Sequence, residues 1–139
     1  MPELNLASYL VESISSANWK NIGYQKRAGV LIPLFCVYSK NSYGLGDLGD
    51  LNLVIDWAKS TANSVIQLLP MNELGGLFCP YDALSSFALE PAYICLKDFP
   101  AVSGKKFSSS SPDINYVDYA QKAQKLELLW DVYLATDLS

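Results

Sequence analysis

Residues 28 to 34 read AGVLIPL, a short and continuous apolar run that decides the fold class. A run of this length that is rich in Val, Leu and Ile is typical of a strand buried on both faces of a sheet. Pro33 stands near the end of the run, where a missing backbone amide is tolerated. We therefore predict that these residues form the first strand of a parallel sheet.

The residues after this strand predict a βαβ unit. Residues 35 to 49 form a long loop rich in Ser, Asn, Gly and Tyr, and from Asp50 onwards apolar residues recur at helical spacing. Asp47 or Asp50 is suited to cap the start of that helix. Residues 64 to 70, SVIQLLP, predict a second buried strand that Pro70 closes. Strand, loop, helix and strand in this order indicate an α/β fold with a parallel sheet.

Further elements flank the βαβ unit on both sides. Upstream, apolar residues at helical spacing predict one helix over residues 3 to 17, followed by a polar connection over residues 18 to 27. Downstream, residues 71 to 91 form a second long loop, and a loop of that length inside a compact domain is usually functional. Residues 92 to 96, AYICL, predict another short strand, and residues 100 to 112 predict a flexible polar connector.

A second amphipathic helix is predicted over residues 114 to 134. Its apolar residues recur on one stripe, which we expect to face the core rather than a ligand. The members of that stripe are Tyr119, Ala123, Leu126, Trp130 and Tyr133. With only two or three strands predicted, the 139 residues look like the beginning of a larger α/β protein, because so small a sheet leaves its edges exposed.

The composition excludes several classes of function. Half of the 139 residues are apolar and 17% are charged, which is typical of a globular chain. A net charge of −4 and a pI near 4.6, with no run of Lys or Arg, argue against nucleic-acid binding, which needs a basic surface. No apolar stretch approaches the roughly 18 residues that span a membrane, and the N-terminus resembles no secretory signal. We therefore expect neither nucleic acid nor membrane as a partner.

The cysteine and histidine content limits the chemistry further. Cys36, Cys79 and Cys95 form no C-x-x-C pair, and the chain contains no histidine. We therefore expect no metal site and no cofactor, and Ser-His-Asp or Cys-His catalysis is excluded. Scattered cysteines are typical of the reduced cytoplasm, where we expect the protein to reside. A plastid location would require a transit peptide on a longer precursor.

The stretch SYGLGDLGD matches the G-x-G-x-x-G spacing of a dinucleotide-binding turn through Gly44, Gly46 and Gly49. Three features argue against that function: the first glycine follows the predicted strand by ten residues, the third glycine precedes the helical pattern, and no acidic residue closes the second strand. A nucleotide-binding domain is therefore kept only as an alternative. Either the glycines shape a loop that needs positive φ at several points, or the loop forms a site with Tyr43 and Asp47 beside it.

Six blocks of the sequence stand in an informative order. They are RAGVLIPL (27 to 34), YGLGDLGD (43 to 50), DWAKS (56 to 60), QLLPMN (67 to 72), PYDALSSFALEP (80 to 91) and YICL (93 to 96). Together with VDYAQKAQKLELLW (117 to 130), these blocks resemble the N-terminal part of the 4-α-glucanotransferases of glycoside hydrolase family 77. The resemblance covers roughly residues 26 to 133, and its strength lies in the order and spacing of the blocks.

The resemblance implies that residues 26 to 139 form the N-terminal portion of a (β/α)₈ TIM-type barrel, incomplete in this chain, after an N-terminal helix and connection over residues 1 to 25. It implies an enzyme that transfers α-1,4-glucan segments between maltooligosaccharides by a retaining double displacement. In such barrels the loops that follow the strands build the active site. The two long loops, residues 35 to 49 and 71 to 91, each follow a predicted strand. The catalytic carboxylates of the family come from later strands. We therefore expect no catalytic residue in this chain, which would need the remainder of the barrel for activity.

The resemblance also suggests which residues contact the sugar. Tyr81 matches the tyrosine of the family's P-Y motif, which lines the donor sugar site, and an aromatic ring can stack on a pyranose. Asp82 and Ser85 offer polar contacts nearby, and Tyr43 is a further candidate that can equally be a packing residue. The residues expected to structure the first loop are Gly44, Gly46, Asp47 and Gly49.

Several positions depart from the family pattern. Ile66 replaces the usual Trp before Gln, Cys79 replaces the Ser before P-Y, and Leu89-Glu90-Pro91 replaces Gly-Asn-Pro. The chain thus resembles a divergent branch. The alternative to an enzyme segment is a stand-alone carbohydrate-binding or interaction module that has lost catalysis, which would keep a cooperative fold and affinity for glucan.

Overall fold

Two parallel strands and the helix that joins them form the centre of the fold. The computed structural model describes residues 5–76, 79–102 and 117–136. Its helices are α1 (Leu6–Glu12), α2 (Ser16–Ile22), α3 (Leu48–Ser60) and α4 (Ala120–Ala135), with short 3-10 turns at Leu34–Cys36, Pro91–Tyr93, Leu96–Asp98 and Pro100–Val102. Strand β1 (Gly29–Ile32) pairs in parallel with β2 (Val65–Leu68), and Gly29 stands opposite Val65. The predicted βαβ unit is confirmed.

The strands are less buried than the sequence predicted. Along both strands exposed residues alternate with half-buried ones, and Leu31 and Val65 stand on the exposed side. We expected strands buried on both faces. The described residues contain a sheet of only two strands. Because the surrounding elements cover this sheet incompletely, every second side chain of each strand stays exposed. The structure thus shows a small α/β unit.

The N-terminal segment forms two helices instead of the single helix predicted for residues 3 to 17. The chain leaves the α conformation at Ser13, whose hydroxyl donates a hydrogen bond of 2.8 Å to the Leu10 carbonyl oxygen. A serine that bonds to the backbone in this way competes with helix propagation. Helix α2 then occupies part of the predicted polar connection and ends at Gly23, which has a φ of +88°.

Residues 92 to 96 form helical turns where the sequence predicted a strand. The Glu90 side chain accepts a hydrogen bond of 3.3 Å from the Ala92 N–H, and Pro91 occupies the first position of the turn. A capping carboxylate followed by proline favours a helical turn over an extended strand. The apolar character of the segment still reflects burial, since Tyr93 is buried in the turn.

Helix α4 forms as predicted from Ala120 onwards, but it turns a different face to the core; residues 103 to 116 lie outside the described residues. Its buried side chains are Gln121, Lys122, Lys125, Leu128 and Val132. The predicted stripe is mostly exposed, and its Trp130 and Tyr133 rings stack with their centroids 5.3 Å apart. The prediction was wrong because two buried lysines form ion pairs, and apolar periodicity cannot detect such residues.

The core of the described residues consists of two hydrophobic clusters, and both long loops contribute residues to it. The first contains Leu45, Leu74 and Ala92, with Phe35 and Val117 at its edge. The second contains Leu96, Val102, Leu128 and Val132, with Tyr43, Phe99 and Leu129 at its edge. Because Leu128 and Val132 belong to α4, this helix supplies much of the second cluster.

Candidate functional site

Asp47 fixes the end of the first long loop, the glycine-rich loop of residues 35 to 49, at the start of α3. Its Oδ1 accepts a hydrogen bond of 2.8 Å from the Gly49 N–H, and Asp50 Oδ2 accepts one of 3.1 Å from the Asp47 N–H. This reciprocal arrangement is a capping box, which satisfies backbone donors that the start of a helix leaves without partners. The Ser39 and Ser42 hydroxyls donate to the Asp50 carboxylate at 2.6 and 2.9 Å. Of the two aspartates suited to cap the helix, Asp47 occupies the cap position.

Asp47 also ties the glycine-rich loop to α4. Its Oδ2 lies 2.9 Å from the Lys125 Nζ, and the two side chains are 3% and 1% exposed. The two residues are 78 positions apart in the sequence. Because both charges are removed from water, loss of either partner would leave a buried charge without compensation. A buried ion pair therefore holds one end of this loop.

The glycines of this loop have packing reasons. Gly44 has a φ of +76°, and a Cβ there would lie 2.6 Å from the Gln121 Oε1 on α4. A Cβ on Gly46 would lie 2.1 Å from the Leu34 carbonyl oxygen. Of the three glycines in the motif, only Gly44 has positive φ, where the sequence suggested several. Gly49 lies inside α3, so its predicted position ahead of the helix was wrong.

Two of the three arguments against a dinucleotide-binding turn stand after this correction. Strand β1 ends at Ile32, twelve residues before Gly44, and β2 ends at Leu68 with no acidic residue beside it. The close backbone approach at Gly46 accommodates the Leu34 carbonyl oxygen rather than a phosphate. The loop therefore serves packing and helix capping.

The second long loop is closed at its base like a hairpin. Asn72 and Leu89 form an antiparallel bridge. The Glu90 N–H donates a hydrogen bond of 2.9 Å to the Met71 carbonyl oxygen. The bridge and this hydrogen bond form the neck of the second loop, and the described residues 73–76 and 79–88 lie between its two paired sides.

A second buried ion pair ties this neck to α4. Glu90 Oε2 lies 2.9 Å from Lys122 Nζ, and the two side chains are 1% and 4% exposed. The same carboxylate oxygen accepts from the Leu74 N–H at 3.0 Å, and Lys122 Nζ also donates to the Gly75 carbonyl oxygen. Sequence reasoning did not select Glu90 or Lys122. Two signals in the sequence could have pointed to this pair. Glu90 is acidic where the resembled pattern has Asn, and Lys122 is followed one helical turn later by a second lysine, Lys125.

The predicted sugar-contact residues lie in two different surroundings. Tyr81 is 74% exposed in the second loop, and the neighbouring Asp82 is also exposed. Ser85 Oγ accepts a hydrogen bond of 3.0 Å from the Ala88 N–H, so this hydroxyl shapes a turn. Tyr43 is half-buried and packs against the second hydrophobic cluster. The structure thus groups Tyr81, Asp82 and Ser85 in one loop and places Tyr43 against core residues.

Two side chains hold their protons more tightly than usual. Burial, followed by the negative charge of Glu90 and by that of the Cys36 thiolate in alkaline solution, raises the pKa of the Tyr93 phenol to about 12. Partial burial raises the pKa of the Cys36 thiol. Both groups therefore keep their protons at neutral pH, and the thiolate that nucleophilic chemistry would require at Cys36 is disfavoured.

The carboxylates buried beneath the loops are occupied by protein donors. Asp47, Asp50 and Glu90 all accept hydrogen bonds from backbone or side-chain groups. Across residues 5–76, 79–102 and 117–136, no group of three or more His, Cys, Asp or Glu side chains is placed to hold a metal ion. None of the helices in those ranges combines the length and apolar character that a bilayer span requires. The buried charges thus support the loops.

Comparison with known proteins places these loops in a family. The model of glycoside hydrolase family 77, described as 4-alpha-glucanotransferase, matches residues 32–138. A 4-alpha-glucanotransferase of Chlamydia pneumoniae is 35% identical over 129 residues, which cover 86% of this chain and 24% of that protein. A protein of Oryza sativa subsp. japonica named 4-alpha-glucanotransferase DPE2 is 40% identical over 72 residues, which cover 48% of this chain and 8% of that protein. The chain thus spans about a quarter of the length of the chlamydial relative.

Proposed function

The chain belongs to glycoside hydrolase family 77, the 4-alpha-glucanotransferases, and from this premise we propose that it supplies part of the glucan-binding surface of such an enzyme. The enzyme transfers α-1,4-glucan segments between maltooligosaccharides. One observation carries the proposal: the second loop presents an exposed Tyr81, while a buried ion pair holds its base. The matched range, 32–138, includes this loop completely.

Tyr81 has the chemistry that a pyranose requires. The apolar face of a sugar ring stacks on an aromatic face, and the phenolic hydroxyl can form hydrogen bonds with sugar hydroxyls. With 74% of its surface exposed, Tyr81 presents its ring to solvent rather than to the core. The adjacent Asp82 carboxylate can accept hydrogen bonds from sugar hydroxyls, whereas Ser85 holds the turn behind them. Tyr43 is left out of the proposed contact set because it packs against the core.

The βαβ unit is proposed to begin a (β/α)₈ barrel. In such a barrel the loops that follow the strands gather at one face and build the active site. The parallel pairing of β1 with β2, which α3 joins, supports this assignment, because such a barrel repeats this unit. The other strands of the barrel would come from the remainder of a full-length enzyme.

The proposed reaction is a retaining double displacement. It requires a nucleophilic carboxylate and an acid/base carboxylate about 5 Å apart. The nucleophile forms a glycosyl-enzyme while the acid protonates the leaving oxygen. The resulting base then removes a proton from the acceptor hydroxyl, whose oxygen bonds to the anomeric carbon and releases the enzyme carboxylate. Because Asp47, Asp50 and Glu90 are buried and engaged in structural hydrogen bonds, we assign the catalytic pair to the remainder of the enzyme.

Calorimetric titration of the chain with maltoheptaose tests the binding role. Tyr81→Ala should weaken maltoheptaose binding about tenfold, because one stacking ring is removed. Tyr133→Ala is the matched control, since Tyr133 is an exposed tyrosine on α4 rather than in the loop. Equal affinities for Tyr81→Ala and the wild type would refute the sugar contact.

Incubation of the chain with maltotriose tests the assignment of the catalytic pair. We expect no disproportionation by the chain alone, because it would lack the two carboxylates of the double displacement. Conversion of maltotriose to longer and shorter oligosaccharides by the purified chain would contradict that assignment.

A further inference from the structure

Lys122 joins the two sides of the second loop at its neck. Its ammonium group contacts the Glu90 carboxylate at 2.9 Å on one side and the Gly75 carbonyl oxygen on the other. We infer that Lys122 and Glu90 form a positioning pair that fixes the Tyr81 loop for glucan binding. The inference rests on the proposed function, because it assigns a role to the base of the loop that carries Tyr81.

The Glu90 carboxylate pairs with the Lys122 ammonium group and also accepts hydrogen bonds from backbone N–H groups on both sides of the neck. The donors are the Leu74 N–H at 3.0 Å and the Ala92 N–H at 3.3 Å. Further along the loop, by contrast, Tyr81 and Phe87 are exposed to solvent. Exposed residues of this kind have little packing to hold them, so the position of the loop depends on its base. The Glu90–Lys122 contact links that base to α4.

Each member of the pair compensates the buried charge of the other. In the pattern that the sequence resembles, Asn stands before the proline, where this chain has Glu90. A neutral Asn provides no counter-charge for a buried ammonium group, so Glu90 and Lys122 are expected to act as a unit. Removal of the lysine alone would leave the carboxylate buried without its counter-charge, and water could reach it only if the neck opened.

Two double variants test the inference without leaving an isolated buried charge. Glu90→Gln/Lys122→Met removes the pair at the base of the second loop. The matched control, Asp47→Asn/Lys125→Met, removes the equivalent pair at the first loop, one turn further along the same helix. Uncharged replacement of a whole buried pair is often tolerated, and circular dichroism establishes that both proteins are folded.

A nitroxide on the exposed Cys79 reports the order of the Tyr81 loop independently of any ligand. Cys36 and Cys95 are changed to Ser in all proteins compared, so that the label reacts at one site. Glu90→Gln/Lys122→Met should narrow the lines of the nitroxide spectrum and weaken maltoheptaose binding about tenfold, because a small displacement of a positioning element has effects of at least that size. The control should leave the nitroxide spectrum unchanged, because Asp47 and Lys125 form their ion pair at the first loop and not at the loop that carries Cys79.

A folded Glu90→Gln/Lys122→Met protein with the wild-type spectrum and affinity overturns the inference. Equal narrowing of the nitroxide lines in the control also overturns it, because such narrowing would reflect a general loss of stability. If the double variant does not fold, Glu90→Asp replaces it, since the carboxylate then keeps its charge but retreats from Lys122. Wild-type behaviour of Glu90→Asp in both measurements would likewise overturn the inference.

Tyr81→Ala separates this result from the proposed function. If Tyr81→Ala binds maltoheptaose normally while Glu90→Gln/Lys122→Met narrows the nitroxide lines, the sugar contact fails and the holding of the loop is supported. If Tyr81→Ala weakens binding and the double variant behaves as the wild type, the sugar contact is supported and the positioning pair fails.

Discussion

Lys122 and Lys125 lie one turn apart on α4, and each is buried against a carboxylate from a different loop. Lys125 contacts Asp47 at the start of α3, whereas Lys122 contacts Glu90 at the neck of the second loop. The positions of the two long loops therefore depend on one short segment of α4.

Lys125→Met should destabilise the chain by about 3–5 kcal/mol, because Asp47 would stay buried without its counter-charge. The double variant Asp47→Asn/Lys125→Met should recover most of that loss, since Asn also caps helices well. Urea unfolding followed by circular dichroism measures the free energy of unfolding of both proteins. A single variant as stable as the double variant would contradict a buried, compensating ion pair.

Gly46→Ala should destabilise the chain by about 2–3 kcal/mol through overpacking. The added Cβ would lie 2.1 Å from the Leu34 carbonyl oxygen and 2.3 Å from the Val37 carbonyl oxygen. Gly76→Ala is the control, because among the described residues other than its chain neighbours no atom lies within 4 Å of its added Cβ. Its effect should stay below about 0.5 kcal/mol in the same urea experiment. Similar losses in the two variants would show that close packing is not the reason for Gly46.

The stability of the chain should fall between pH 10 and pH 12 in a way that depends on Tyr93. Its pKa in the folded chain, about 12, lies above the ordinary value near 10, so the unfolded chain releases this proton first as the pH rises. The stabilisation is therefore complete below pH 10, and about 1–2 kcal/mol is lost across the window.

Urea midpoints measured across this pH range test the role of Tyr93. Tyr93→Phe should remove that part of the pH dependence, because phenylalanine has no proton to release. Tyr133→Phe, a change at an exposed tyrosine, should leave the dependence in place. Parallel curves for wild type and Tyr93→Phe would argue against the raised pKa.

Leu128→Ala should cost about 2–4 kcal/mol of unfolding free energy, because it creates a cavity in the second hydrophobic cluster. Trp130→Ala should cost about 1 kcal/mol or less, although it removes a larger side chain. Trp130 is 59% exposed, and its ring stacks on the exposed Tyr133. Thermal or urea unfolding ranks the two variants. The reverse order would mean that the aromatic stripe, and not the buried face observed, packs on the core.

The βαβ unit could be predicted because each of its elements is signalled by nearby residues. AGVLIPL and SVIQLLP are continuous apolar runs, and the helical spacing between them is regular, so only the ends of the elements moved by a few residues. Tyr81 was selected through the family resemblance, and its exposure in the loop is compatible with that choice. For Tyr43 the sequence leaves sugar contact and packing open, and its half-buried position against the second hydrophobic cluster favours packing.

The buried face of α4 could not be predicted because its reasons lie elsewhere in the chain. Lys122 and Lys125 look like solvent-exposed positions in any local pattern, and their partners are 32 and 78 residues away. The turn at Pro91–Tyr93 was missed for a related reason: a strand-like apolar pattern was overridden by the Glu90 side chain, which caps the turn. Local sequence therefore predicted the elements better than the contacts that anchor the loops.

The long separation between Asp47 and Lys125 bears on the order in which the chain folds. A contact between residues 78 positions apart closes a large loop of chain, and such contacts form later than local ones. The α3 cap can form as soon as Asp47 and Asp50 meet, but both loops must wait until α4 has been synthesised and has docked. The two loops are therefore anchored last by the segment that brings the positive charges.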